Sequence, residues 1–428
     1  MPDTPAITGI DIPPSHEHAP LLGDGRYQHD AGGVFRELYQ THGPVAPVLL
    51  PGGVPAWLTL DHQTLRRVTE DTATFARSSK RWRLGPLLPP DWPLWPLLGG
   101  GQAQDSLLYA EGEMHRQRAG ALSSALEAVD RNEFAARCQQ ISEQLLARFA
   151  PAGAAELMAD YALQLPVLAM SWALGAPEED SRNLPADFAA MLSGGPDTIA
   201  GWHRARAVVA RLVAQARRRP GANVASRLAA HPIALSDEQL VEDLLVTYIA
   251  GHIPTAYLIG TTLRLMLTGD RFTDTLRRGR LSVSDALHEI LWHDTPTQVF
   301  AGRFTSRVTE LGRYRIPARD LVLLGLAAAN TDPALRPDPA AGVRDNRAYL
   351  SYSHGPHSCP MPARDLSEVM ASTAIEALLD ALPGLSLACH PNQLRWVSTI
   401  WMRGLESLPV RFDPAALSLG TPRGLPWM

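Results

Sequence analysis

Apolar residues recur with a period near 3.6 in six long stretches of the chain, and this pattern predicts helices that bury one face. The six stretches are 113–129, 131–149, 158–174, 202–218, 237–267 and 284–292. Further helices are predicted at 33–42 and 362–382. Strand character is confined to 45–60, where two strands flank the turn Pro51-Gly52-Gly53, and to 303–311, 321–324 and 386–397. The chain is therefore predicted to be mainly α with small β-sheets.

The stretches without a period suggest how the chain is organised. Residues 1–30 are predicted to be an irregular lead-in, 31–412 a single domain, and 413–428 a C-terminal tail. The segment 81–101 contains too many prolines for a helix and is too apolar for an ordinary solvated loop. We expect it to cover another part of the structure.

Composition narrows the possible functions. The chain has 428 residues, is 45% hydrophobic and carries a formal net charge of −5, which disfavours a nucleic-acid partner. Its three cysteines are too few and too scattered for a disulfide framework or a zinc site. There is no signal-peptide pattern and no apolar run of about 18 residues, so we expect a cytoplasmic protein without a membrane span.

One cysteine lies in a distinctive loop, Tyr352-Ser-His-Gly-Pro-His-Ser-Cys359-Pro, which leads into the predicted helix 362–382. The unpaired N–H groups at a helix start favour negative charge, so Cys359 could be held there as a thiolate. This position alone leaves three interpretations open: a catalytic nucleophile, a metal ligand or a buried structural cysteine.

The loop resembles the ligand loop of the cytochrome P450 family, Phe-Gly-x-Gly-x-His/Arg-x-Cys-x-Gly, although Met361 replaces the last glycine. The matching positions are Tyr352, Ser353, Gly355, His357 and Cys359. The resemblance extends from about residue 33 to 412, through further matches at 303–312, 316–318, 328–333, 338–344 and 403–410.

The resemblance implies a haem b cofactor (iron protoporphyrin IX) between the long distal helix and the cysteine loop, with Cys359 as the axial iron ligand. Other residues matching the family's haem contacts are the propionate partners and those beside the ring: His357, Arg303, His115, Arg118, Ala250, Gly251, Tyr352 and Gly355.

Two motifs depart from the family pattern. The usual Glu-x-x-Arg is Glu289-Ile-Leu-Trp292, as in some actinomycete members that lack this Arg. We expect Glu289 to pair with Arg344, and Trp292 to replace the missing hydrogen bonds by packing.

The second departure lies in the long helix, where Ile253 and Pro254 replace the family's acid and alcohol. We expect Pro254 to open the helix near Ala250 and Gly251. Protons for oxygen activation would then come from Thr255, His252 or an ordered water, and peroxide would be a suitable oxidant.

The segments that line the substrate cavity in the family correspond here to 81–98, 183–202, 248–253, 296–299 and 398–402, and their residues predict an aromatic and apolar wall, which suits a hydrophobic small molecule. The candidate residues are Trp92, Trp95, Leu98, Met191, Tyr248, Ile253, Val299, Ile400 and Trp401. Alternatively, these side chains pack loops onto the core.

The sequence therefore predicts an oxidoreductase that hydroxylates or oxidatively couples a hydrophobic or aromatic molecule, in secondary metabolism. The alternative is a haem protein that binds a ligand or partner without oxygenating it. A monooxygenase needs an electron donor, and Arg116, Arg137 and Arg364 could form a positive face for an acidic ferredoxin.

Overall fold

Helices dominate the structure, a computed structural model that describes residues 7–99, 105–193, 195–268, 282–332, 334–335 and 346–414. The helices are α1 Gly25–His29, α2 Ala31–His42, α3 His62–Glu70, α4 Trp95–Leu98, α5 Gly112–Glu127, α6 Arg131–Phe149, α7 Gln164–Leu174, α8 Glu178–Ser181, α9 Leu184–Ser193, α10 Thr198–Arg218, α11 Val224–Ala229, α12 Asp237–Thr268, α13 Val283–His293, α14 Leu326–Asn330 and α15 Met361–Ala381. This confirms the mainly α prediction.

Several helices begin where the sequence supplies a capping side chain. Asp130 accepts hydrogen bonds from the first backbone N–H groups of α6, and Ser282 and Asp285 form a capping box at the start of α13. The prediction for 131–149 agrees with α6 at both ends. The prediction for 158–174 needs correction, since a π-helical turn at Met158–Ala162 precedes α7.

The strands form four small sheets among the described residues. Their bounds are β1 Val45–Leu50, β2 Val54–Thr59, β3 Phe75–Ala76, β4 Ala154–Glu156, β5 Phe300–Thr305, β6 Thr309–Leu311, β7 Tyr314–Ile316, β8 Leu321–Leu324, β9 Ser386–Leu387, β10 Trp396–Ser398, β11 Arg403–Leu405 and β12 Pro409–Arg411. The largest sheet has the order β1-β2-β8-β5-β3, in which β2 and β8 are parallel.

Two of the predicted strands are divided in the structure. The predicted strand 303–311 is β5 followed by β6, which pairs with β7 in a separate hairpin. The predicted strand 386–397 is β9 and β10, which belong to different sheets. The pattern could not show this, because strand pairing depends on partners distant in sequence.

The long helix α12 is the centre of the core, packed against α7, α10, α13 and α15. It continues through Pro254 without interruption, so the expected opening near Ala250 does not break the helix. Among the described residues it is the one helix long and apolar enough to cross a membrane. In its apolar 18-residue stretch, 78% is buried inside the structure. Its apolar composition is accounted for by core packing.

The described part of the lead-in and the proline-broken segment 81–99 both pack onto this core. The Tyr27 hydroxyl donates to the Ile400 carbonyl at 3.0 Å, and His16 Nε2 lies 3.0 Å from the Ala56 carbonyl oxygen. The rings of Trp82, Trp92 and Trp95 contact one another, with centroids 5.5–6.0 Å apart. The proline-broken segment therefore acts as an ordered cover, as its composition predicts.

Candidate active site

A cavity of about 500 Å³ lies between α12 and the loop that carries Cys359. On the α12 side, Ala250, Gly251 and Pro254 line it, and on the opposite side Cys359 does. Ala250 is exposed although its neighbours in the helix are mostly buried, because its face of α12 borders the cavity. The structure thus brings together the distal helix and the cysteine loop, as the sequence predicts.

The conformation of the cysteine loop depends on a glycine. Gly355 has a φ of 74°, and a Cβ atom there would lie 2.6 Å from the Thr69 carbonyl oxygen. Ser353 also has a positive φ, 61°. The loop closes with a 3.0 Å hydrogen bond from the Cys359 N–H to the Tyr352 carbonyl, immediately before α15. Gly355 is therefore required both by backbone geometry and by the close approach of α3.

Cys359 is on the cavity wall, and Cys138 is not. Burial raises the pKa of the Cys359 thiol to about 11, and the nearby Arg364 guanidinium opposes this rise. Such a thiol becomes a good ligand when a bound metal cation stabilises its anion. Cys138 is fully buried in the core, where burial raises its thiol pKa to about 12.

Beside the cysteine loop, two arginines and two histidines form a buried group that we call the cation cluster: Arg77, Arg303, His115 and His357. The imidazole rings of His115 and His357 lie 3.7 Å apart between centroids. Arg303 is on β5, and Arg77 follows β3, which pairs with β5. Arg77 donates to the carbonyl oxygens of Ala301 and Gly302 at 2.7 and 2.6 Å.

The cation cluster has no carboxylate partner among the described residues. Nε and Nη2 of both Arg77 and Arg303 are buried without a hydrogen-bond partner there. Burial lowers the pKa of Arg77 to about 10, and burial together with the two arginines lowers the pKa of His115 to about 4. The pKa of His357 is lowered from the same causes.

The buried, unpartnered guanidinium groups of Arg77 and Arg303 make the cluster positive and suit it to bind anions, whereas its histidines, with their lowered pKa values, are neutral. Haem carries two carboxylates and an iron that binds thiolate. The cation cluster would hold the carboxylates, and Cys359 would bind the iron. His115, His357 and Arg303 were predicted for this role from the sequence. Arg77 was missed, since it belongs to no motif and reaches the cluster only through the pairing of β3 with β5.

Arg118, by contrast, is not part of the cation cluster. Its Nε and Nη2 donate to the Asp243 carboxylate at 2.9 and 2.6 Å, and its Nη1 lies 3.2 Å from an oxygen of Asp105. Both Arg118 and Asp243 are buried, so the pair ties α5 to α12. The sequence-based assignment of Arg118 to a propionate is not supported, because Asp243 and Asp105 take its donors.

The two candidate proton donors of α12 are not on the cavity wall. His252 Nε2 lies 2.8 Å from the Leu163 carbonyl oxygen, and its ring packs 5.5 Å from Phe188. Burial lowers the pKa of His252 to about 4. The Thr255 hydroxyl lies 2.9 Å from the Ser367 hydroxyl on α15, and Thr255 is 1% exposed. Neither side chain lines the cavity.

Of the nine residues predicted to contact substrate, Met191 lines the cavity, and the other eight are in the packed structure: Trp92, Trp95, Leu98, Tyr248, Ile253, Val299, Ile400 and Trp401. The indole N–H of Trp92 donates to the Pro51 carbonyl at 3.0 Å, and the Tyr248 hydroxyl donates to Ser181 at 3.2 Å. The alternative interpretation, that these side chains pack loops onto the core, agrees with the structure.

The observed wall uses neighbours of the predicted residues. Leu97, Pro296, Thr297 and Met402 line the cavity from the expected segments, and Trp202 lines it from α10. Further apolar residues come from the long helix and from α9: Leu245, Val246, Ile249, Met191 and Leu192.

A single carboxylate, Glu242, is on this wall among the described residues. Its side chain accepts a hydrogen bond from Arg206 Nε at 2.7 Å and is nearly inaccessible to solvent. Glu242 precedes Ala250 by eight residues, or about 12 Å along an α-helix. The wall is therefore mostly apolar, and its carboxylate is about two helical turns along α12 from Ala250.

The departure at Trp292 has a clear structural setting. Trp292 is 2% exposed, its indole N–H donates to the Asn346 carbonyl at 2.7 Å, and its ring meets Tyr349 edge-on at 5.8 Å. It thus anchors α13 to the segment before the cysteine loop. Glu289 lies 3.7 Å from His293 Nε2. The predicted partner Arg344 is outside the described residues.

Comparison with known proteins agrees with this fold. The chain is 29% identical over 414 residues to the vitamin D(3) 25-hydroxylase of Pseudonocardia autotrophica, covering 92% of this chain and 99% of the relative. It is 31% identical over 286 residues to cytochrome P450 107B1 of Saccharopolyspora erythraea, covering 64% and 69%. The solved structure of CYP154C4 from Streptomyces sp. W2061 matches with a TM-score of 0.83 and 25% identity, covering 92% of this chain and 97% of that one. No protein-family model matches the chain.

Proposed function

Because this chain belongs to the cytochrome P450 family of monooxygenases, we propose that it is a haem b enzyme that hydroxylates or oxidatively couples a hydrophobic small molecule in secondary metabolism. The observation that carries the proposal is that Cys359, His115 and His357 line one mostly apolar cavity, and that the unpartnered guanidinium groups of Arg77 and Arg303 are buried close to these histidines. When bound there, haem supplies oxygen activation. The chain's own residues hold its carboxylates, exclude water and orient the substrate.

A carbon monoxide difference spectrum of the reduced protein tests the haem–thiolate part of the proposal. We expect the red-shifted Soret band of a thiolate-bound haem in the wild type, and its loss in Cys359→Ser. The matched control is Cys138→Ser, which changes a cysteine away from the cavity and should keep the band. A band that survives Cys359→Ser and disappears with Cys138→Ser would reject the proposed ligand.

The size and chemistry of the cavity support an apolar substrate with few polar groups. Its volume of about 500 Å³ is within the usual range for small-molecule sites. The relative from Pseudonocardia autotrophica is named for hydroxylation of vitamin D(3), an apolar molecule. Wall residues such as Trp202 and Ile249 should therefore contact the substrate. Substrate-induced Soret shifts should weaken in Ile249→Ala, and they should persist in Val299→Ala, which changes a side chain away from the wall.

Proton supply during oxygen activation is the atypical part of the proposed reaction. Ile253 and Pro254 have side chains without an exchangeable proton. The Thr255 hydroxyl is hydrogen-bonded to Ser367, and Thr255 itself does not line the cavity. We propose that water delivers the protons, so the reductase-driven reaction leaks hydrogen peroxide and added peroxide supports turnover at least comparably. Thr255→Ala and His252→Ala should leave the leak unchanged. Tight coupling in the wild type that fails in either variant would contradict water delivery.

The proposal includes a cytoplasmic ferredoxin-type electron donor. Arg116 and Arg137 are on the helices α5 and α6, and the Arg116 side chain is 69% exposed. Exposed cations attract an acidic partner through a field that salt screens. Reduction by a ferredoxin should therefore slow as ionic strength rises.

A second function is favoured by the same replacements at 253 and 254, namely a haem protein that binds a ligand without oxygenating it. It predicts the same carbon monoxide band and ligand-induced Soret shifts. It also predicts no product with either a reductase system or peroxide, whereas the proposed enzyme forms product with both.

A further inference from the structure

Arg364 lies beside the proposed iron ligand instead of on an outer charged face. Its Nε donates to the Cys359 carbonyl oxygen at 2.8 Å, and its guanidinium carbon lies 5.4 Å from the centroid of the Tyr352 ring. The side chain is half-buried and forms part of the cavity wall. Arg364 therefore joins the two ends of the cysteine loop, since Tyr352 begins it and Cys359 ends it.

The position of this charge is unfavourable unless an anion is close. Arg364 is in the first turn of α15, where unpaired N–H groups and the helix dipole favour negative charge. No carboxylate lies within ion-pair distance of Arg364 in the described ranges. The nearest acids along α15 have other partners, since Asp365 pairs with Arg131 and Glu368 lies 3.8 Å from Arg347.

The sulfur of Cys359 is the group next to Arg364 that becomes an anion on binding a metal. Arg364 donates to the backbone carbonyl of Cys359, and both residues line the same cavity, so the guanidinium charge lies close to this sulfur. Arg116, which was grouped with Arg364 from the sequence, has its own carboxylate partner in Glu113. The two arginines therefore have different electrostatic environments.

We infer that Arg364 is the counter-cation of the Cys359 thiolate and a positioning residue that sets how strongly the thiolate donates electrons to the bound iron. The inference rests on the proposed haem–thiolate function. A fixed positive charge beside the ligand stabilises the reduced, less positive state of the metal relative to the oxidised state. Arg364 thus raises the midpoint reduction potential of the haem.

The decisive measurement is the midpoint potential of the haem-loaded protein by spectroelectrochemistry, for the wild type, Arg364→Gln and Arg364→Lys. In Arg364→Gln we expect the equilibrium constant for one-electron reduction to fall by about tenfold, which corresponds to about 59 mV. Arg364→Lys keeps the charge and should retain most of the wild-type potential. If the midpoint potential of Arg364→Lys falls as far as that of Arg364→Gln, the electrostatic explanation is wrong.

Arg131→Gln is the matched control, because it removes one positive charge from a side chain that pairs with Asp365, next to Arg364 along the chain. Its side chain is 62% exposed, so solvent and salt screen the effect, and we expect the potential to remain at the wild-type value. If the midpoint potential falls equally in Arg131→Gln and Arg364→Gln, the effect arises from surface charge in general, and the inference is rejected.

The position of the reduced carbon monoxide Soret band separates this inference from the proposed function. If the wild type shows no thiolate band, the proposed function fails. If the band is present in all variants while the potential of Arg364→Gln equals that of the wild type, the inference alone fails. If Arg364→Gln does not retain haem, the inference is tested with Arg364→Lys. A tenfold fall in the reduction equilibrium constant of Arg364→Lys would then overturn the inference.

Discussion

Two buried arginines, Arg118 and Arg303, have opposite electrostatic environments. Arg118 donates from Nε and Nη2 to the buried Asp243 carboxylate. Arg303 has Nε and Nη2 buried without a partner among the described residues, and its pKa is lowered by burial and by Arg77. The sequence-based reasoning placed both at the haem propionates.

The comparison shows that the hydrogen-bond state of a buried charge distinguishes structural residues from ligand-binding ones. A paired cation stabilises the contact between its helices, whereas an unpartnered one costs free energy until an anion arrives. The same distinction applies in α12, where His252 and Thr255 have partners inside the protein and do not line the cavity.

Removing Arg118 should have the largest effect on stability. Arg118→Met leaves the Asp243 carboxylate buried without its main cation, so we expect the free energy of unfolding to fall by about 3–5 kcal/mol. Chemical denaturation of the haem-free protein measures this. Arg303→Met should leave the haem-free protein as stable as the wild type or more stable, because it removes an unpaired buried charge. Equal destabilisation by both variants would contradict the distinction between a paired Arg118 and an unpaired Arg303.

Trp292 tests whether packing can replace a charged residue of the family pattern. Trp292→Ala should lower the free energy of unfolding by about 3 kcal/mol and reduce haem content, since it removes a buried ring and the hydrogen bond to Asn346. Trp292→Phe keeps most of the packing and should cost about 1 kcal/mol for the lost hydrogen bond. Unchanged melting of Trp292→Ala would show that the residue is peripheral.

Haem affinity tests the role proposed for the unpaired arginine, Arg303. Arg303→Met removes a charge-assisted contact to a carboxylate, so we expect haem affinity to fall by about 10- to 100-fold, or roughly 1.5–3 kcal/mol. Haem titration of the haem-free protein, followed by Soret absorbance, measures it. Arg395→Met is the control, since the Arg395 side chain is 77% exposed, and it should bind haem as the wild type does. Equal affinities for Arg303→Met and the wild type would exclude Arg303 from the anion site.

A further prediction concerns pH and His252. Burial lowers the pKa of His252 from 6.5 to about 4, so between these values the unfolded chain binds the extra proton and the folded protein does not. Stability should therefore fall as pH falls, by up to about 1.4 kcal/mol per pH unit for this group. The difference in unfolding free energy between the wild type and His252→Gln should show this slope from about pH 6.5 to 4. A difference independent of pH would place the ring in contact with water.

The sequence was most informative where structure depends on near neighbours. The ends of α6 follow from its apolar period and from Asp130 as the N-cap, both of which are local. The cysteine loop could also be predicted, because Gly355 and Cys359 belong to one short motif. The orientation of individual side chains in the substrate wall could not be predicted: the segments 296–299 and 398–402 do contribute to the wall, but Thr297 and Met402 face the cavity while Val299 and Trp401 face the core.

By itself, the sequence determined the helical fold, the ligand loop and the identity of Cys359 as the candidate iron ligand, since each depends on local periodicity or a continuous motif. Only the tertiary structure decided the partners of the buried charges. Arg118 meets Asp243 across 125 positions of sequence, and Arg77 donates to Ala301 across 224. Such contacts depend on how helices and sheets pack, and packing is set by the whole chain at once, so no local pattern records whether a buried cation is paired or awaits an anion.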